Sequence, residues 1–78
     1  MPVCYKDKYA LEQLPGEIDA LEQSIAARKA ALEDAALYER DPEGFQKIAA
    51  ALESEQARLA EAEETWLALE MKREALES

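Results

Sequence analysis

The stretch that decides the fold is Phe45–Leu76, FQKIAAALESEQARLAEAEETWLALEMKREAL. Within it Phe45, Ile48, Leu52, Glu55, Leu59, Ala62, Trp66, Leu69, Arg73 and Leu76 follow one another at alternating steps of three and four. That spacing is a heptad seam, apolar at nearly every a and d position. A stripe of this kind is unfavourable in water and requires a partner surface.

Working outward, the start of this helix is well marked. Asp41 is a good N-cap, Pro42 suits the first helical position and Glu43 sits in the first turn. No breaker follows, and Gly44 falls early enough to be tolerated. The spacing predicts a long helix over 42–76, about 50 Å in length at ~1.5 Å per residue. Upstream, Leu11, Leu14, Ile18, Leu21, Ile25, Arg28, Leu32 and Ala35 show the same three-four alternation. Leu14-Pro15-Gly16 interrupts it, because proline lacks a donor and disfavours helix in the residue before it. The expected organisation is a short helix over 6–14, a kink at Pro15, a helix over 15–34, a loop over 35–41 carrying Leu37 and Tyr38, and the long helix. Glu17 and Asp19 would suit the positive end of the second helix. Met1 to Tyr5 reads as a frayed or extended end. The fold class is all-α: an antiparallel two-helix coiled-coil hairpin with a short leading helix, forming one domain over 1–78.

One register satisfies every layer of such a hairpin. Leu32 faces Ile48, Arg28 faces Leu52, Ile25 faces Glu55, Leu21 faces Leu59, Ile18 faces Ala62, Leu14 faces Trp66 and Leu11 faces Leu69. Each pair joins an a position to a d position, and each pair of residue numbers adds to the same total. Carried past Pro15, the register sets Asp7 beside Arg73 and Cys4 beside Leu76. Two polar residues, Arg28 and Glu55, interrupt the seam in adjacent layers. They are either a register lock or partner contact, or two snorkelling side chains at a partly open seam. Trp66, opposite Leu14 and next to Pro15, is expected to plug the kink. A tryptophan that stacks on bases would have to be exposed.

Composition narrows the function. The chain has 78 residues, 18 acidic and 9 basic, for a net charge of −9, with no histidine and one cysteine. At this size a compact core is hard to build without staples. Cys4 cannot close an internal disulfide, and the inventory lacks the ligands of a zinc site. A lone cysteine suits a reducing cytosol, no signal-peptide pattern opens the chain, and no apolar run reaches the ~20 residues of a membrane span. The expectation is a soluble, cytoplasmic chain without membrane contact, a monomer or weak homodimer. Richness in Ala, Glu and Leu is that of long helices.

Nothing points to catalysis within this chain. Carboxylates on a two-helix hairpin are solvated and lack the pocket that tunes a catalytic acid. Glu61, Glu63 and Glu64 form a cluster that reads as a solvated helix face rather than a cation site. No glycine-rich phosphate loop is present, so no cofactor is expected here. Leu67 and Met71, with Tyr5 and Tyr9 near the same end, read either as an exposed docking patch or as scattered exposure. The bases gather at the two ends: Arg28, Lys29, Arg40 and Lys47 toward the tip, and Lys6, Lys8, Lys72 and Arg73 at the open end. Either group offers phosphate contacts, and both read equally as solubilising charge. The net acidity opposes generic affinity for nucleic acid.

A spaced pattern adds to this reading. Tyr5-Lys6, Ala10-Leu11-Glu12-Gln13-Leu14-Pro15, Ile18, Leu21-Glu22, Asp41-Pro42-Glu43-Gly44-Phe45 and Glu64-Thr65-Trp66-Leu67-Ala68-Leu69-Glu70 resemble the C-terminal coiled-coil domain of bacterial ABC-F ATPases, the Uup type in particular. Cys4 and Thr65 stand where that family commonly has Ser and Arg. The resemblance implies a non-catalytic accessory domain following two ATP-binding cassettes, which would hold the ATP and Mg of the full-length protein. It also implies contact with DNA or ribosomal RNA. The alternative is a structural or regulatory hairpin that docks on the cassettes or self-associates.

Overall fold

Each of the two long segments has one apolar stripe, and the chain buries both by folding them against each other. The computed structural model describes residues 5–77, with side chains described through Leu76. It contains α1 (Tyr5–Leu32), α2 (Ala35–Arg40) and α3 (Pro42–Glu77). The helices α1 and α3 run antiparallel, and the molecule is a rod of 57 × 16 × 14 Å. The 36 residues of α3 account for that length at ~1.5 Å each.

Leu14, Leu21 and Ile25 of α1 and Ala62 of α3 form the buried centre of the seam. Leu11, Ile18, Leu32, Ile48, Leu52, Leu59, Trp66 and Leu69 are half-buried around them. Cross-helix contacts agree with the expected register: Ser24 meets Glu55 and Asp7 meets Lys72, each one residue from the seam pairing. Beyond Leu69 the seam opens, and Arg73 and Leu76 are exposed. The Cys4–Leu76 pairing lies outside the described residues. Among the described residues, no helix is long and apolar enough to cross a membrane.

Two local features differ from the sequence reading. The expected boundary between helices 6–14 and 15–34 is absent: α1 is one helix with Pro15 inside it. Proline removes one backbone hydrogen bond and crowds the preceding turn. That local cost is opposed by seam residues on both sides, Leu14 and Ile18, which keep their register against α3 only if the helical phase continues. Trp66 is half-buried beside Pro15 and Ile18.

The expected loop over 35–41 is mostly a helical turn. Asp34 is in extended geometry, and its Oδ1 accepts from the Ala36 N–H at 3.0 Å. This is an N-cap, and it starts α2 two residues after α1 ends at Leu32. Asp41 then closes α2, donating its N–H to the Leu37 carbonyl at 2.8 Å. Its Oδ1 accepts from Gly44 N–H at 3.0 Å and its carbonyl accepts from Phe45 N–H at 2.9 Å, so it also caps α3. Tyr38 meets Phe45 edge-on, with ring centroids 5.2 Å apart, and this contact folds α2 onto the start of α3.

Candidate functional site

The candidate positions fall on the seam, the two ends and the two flanks of the rod. At the seam, Arg28 Nε donates to Glu55 Oε1 at 2.7 Å. Ser24, one turn before Arg28, shares its hydroxyl proton between Glu55 Oε2 at 2.7 Å and Oε1 at 2.9 Å. The guanidinium and the hydroxyl hold the Glu55 carboxyl below its ordinary pKa, the first having the larger effect. The Glu55 side chain is only 18% exposed. The two side chains form a made pair, with Ser24 as a third member, while Arg28 stays 36% exposed at the edge of the seam. Ser24 escaped the sequence reading because it lies beside the a/d stripe. Its signal was its place one turn from Arg28 and across from Glu55.

The bases named as nucleic-acid candidates divide into two sets. Arg28 is tied to Glu55, Arg40 lies 3.7 Å from Asp34, Lys72 lies 2.7 Å from Asp7 and Arg73 lies 2.8 Å from Glu70. Within the register that sets Asp7 beside Arg73, Asp7 forms an ion pair with the adjacent Lys72. Lys72 projects along the flank that Asp7 faces, whereas Arg73 turns back one turn along its own helix. Lys6, Lys8, Lys29 and Lys47 are exposed and form no ion pair among the described residues. The one base of the shaft, Arg58, pairs with Glu17 at 3.4 Å.

The flanks differ in character. On one side a shallow hollow is lined by Leu14, Glu17, Arg58, Glu61, Ala62 and Thr65. On the other, an open groove is lined by Pro15, Ile18, Glu63, Trp66 and Leu67. Helical geometry thus sends Glu61 and Glu63 to opposite sides. Among the described residues, no group of three or more acidic, cysteine or histidine side chains is arranged to hold a metal. Leu67 is 56% exposed, and Met71, one turn further, is 61% exposed. Tyr5 and Tyr9 are also exposed, but they border a separate hollow with Lys8 and Glu12.

Residues 4–71 match the model of the ABC transporter C-terminal domain. The chain belongs to that family. No curated protein and no solved structure matches it. The matched span takes in all of α1 and α2, and α3 as far as Met71. This C-terminal domain therefore includes the Arg28–Glu55–Ser24 cluster, the cap at Asp41 and the groove at Trp66. Lys72 and Arg73 lie just past its end.

Proposed function

We propose that this chain is the non-catalytic accessory hairpin of an ABC-F ATPase of the Uup type, contacting DNA or ribosomal RNA through the ends of the rod. The cassettes, with their ATP and Mg, would lie outside these 78 residues. The observation that carries the reading is the placement of the four lysines outside ion pairs. Lys29 and Lys47 lie toward the tip and Lys6 and Lys8 at the open end, while the shaft between them is acidic. Such an arm approaches a polyanion end-on, since its sides repel phosphate. Binding by the isolated hairpin is accordingly weak and salt-sensitive.

The test is a titration of labelled duplex DNA and of ribosomal RNA fragments with the hairpin, followed by anisotropy at several salt concentrations. Two lysines at one end give a slope of about −2 in log K against log salt on duplex DNA. Alanine at Lys29 and Lys47, or at Lys6 and Lys8, removes binding at the end that is used. Absence of binding at low salt, or binding unchanged by both double substitutions, overturns the proposal.

A second reading, docking on the ATP-binding cassettes, is favoured by a different observation. The groove at Pro15, Ile18, Trp66 and Leu67 leaves apolar side chains in water on one flank. Its test is capture of the hairpin by ATP-binding cassettes supplied in trans.

A further inference from the structure

We propose that the groove bounded by Pro15, Ile18, Trp66 and Leu67 receives a cationic amphipathic helix from a protein partner. The inference deepens the docking reading by naming the chemistry of the occupant.

Shape comes first. The groove runs between two antiparallel helices, and its lining is apolar apart from Glu63. Leu67 and Met71 extend the α3 side by one turn and are largely exposed. On the α1 side the wall is Pro15 and Ile18. A helix laid here would complete a three-helix bundle, its i, i+3 and i+4 side chains entering the space beside Trp66.

Charge selects among helices. In the heptad frame, Glu12, Asp19 and Glu22 of α1 and Glu63 and Glu70 of α3 occupy b and e positions, which face this same flank. Among these five, Glu70 alone is in an ion pair, with Arg73. Lys8 is the one base at a b or e position within two turns of Pro15 on α1. An occupant with Lys or Arg on either side of its apolar stripe meets this rim favourably. A second copy of the chain does not, because each copy carries a net charge of −9 and would bring carboxylates against carboxylates.

Trp66 is the single tryptophan and lines the groove, so its emission reports occupancy directly. The probe is an acetylated, amidated Leu/Lys amphipathic peptide of about 15 residues, long enough to hold a helix. Controls are the same pattern with Glu for Lys and a scrambled Leu/Lys sequence. The expected result is a saturable blue shift of Trp66 with the Leu/Lys helix alone. Leu67→Glu, a change at an exposed position that leaves circular dichroism unaltered, weakens binding by at least about tenfold. Glu63→Lys weakens it as well.

No shift, an equal shift with the Leu/Glu peptide, or equal affinity in Leu67→Glu overturns the proposal. So does a concentration-dependent dimer that shifts Trp66 without peptide. Cassettes that capture the Leu67→Glu hairpin as well as the unaltered one would preserve docking and reject this groove. Lys29→Ala with Lys47→Ala leaves peptide binding unchanged, which separates this site from the phosphate-contacting ends.

Discussion

Glu55 of α3 takes Arg28 of α1 at 2.7 Å across the coiled-coil seam, where each helix gives up an apolar residue in one of two adjacent layers. Ser24 closes the other side of the carboxylate. The arrangement penalises a shift in register, since sliding either helix would leave Glu55 half-buried without its donors. A double-mutant cycle with Arg28→Ala and Glu55→Ala, read by thermal unfolding, should give a favourable coupling. That coupling should exceed the one between Arg58 and Glu17, which are 3.4 Å apart and half-exposed. Equal couplings would reduce the seam pair to a surface ion pair.

The same carboxylate has a pH signature. Its pKa is lowered in the folded chain by Arg28 first and Ser24 second. The ionised form therefore stabilises the fold fully above the unfolded-state value of about 4.3. That contribution falls as pH drops through the lower folded-state pKa. The difference in Tm between the unaltered chain and Glu55→Gln should be constant near neutrality and shrink below about pH 4. Taking the difference cancels the acid-induced relief of repulsion among the other carboxylates. A difference that grows with acidification would contradict the assigned sign.

Pro15 lies inside α1 rather than at a helix start. Pro15→Ala should therefore restore a helical donor and stabilise the hairpin by about 1–3 kcal/mol. Were residue 15 the first of a new helix, the substitution would be neutral or unfavourable. Urea unfolding of the two proteins distinguishes the cases.

The two glycines should respond oppositely to alanine. Neither has a positive φ. At Gly16 a Cβ meets open space, so Gly16→Ala should gain about 0.5–1 kcal/mol of helix propensity. At Gly44 a Cβ runs into the Asp41 carboxylate, which caps α3 through the Gly44 N–H. Loss of that cap costs ~1 kcal/mol, enough to cancel the propensity gain. Equal stabilisation by both substitutions would show that the cap contributes little.

Burial ranks the apolar positions. Ile25→Ala and Leu21→Ala remove side chains that are 7% exposed and should each cost about 2–4 kcal/mol. Leu67→Ala, on the open flank, should change stability by about 0.5 kcal/mol or less. A large cost at Leu67 would mean that it packs within the hairpin and would remove the wall of the proposed groove.

The seam was legible residue by residue. Its three-four spacing named Leu14, Leu21, Ile25 and Ala62 in the core, and one register set Ile25, next to Ser24, across from Glu55. The short helix at the tip was less visible. Asp34 looked like the tail of a helix, because a capping aspartate is recognised only when the chain is known to turn just before it. Half of the basic candidates proved to be engaged with carboxylates that one-dimensional clustering could not select.

Heptad spacing is a local periodicity, so sequence alone sufficed for two helices, an antiparallel seam and the two polar interruptions at Arg28 and Glu55. Tertiary packing decided what depends on competition between distant groups. Leu14 and Ile18, held against α3, carry the helix through Pro15 where local sterics would end it. Lys72 rather than Arg73 reaches Asp7, because flank geometry sets the reach of each side chain. The pairing of α1 with α3 brings Pro15 and Ile18 beside Trp66 and Leu67, making one flank an apolar groove with an acidic rim.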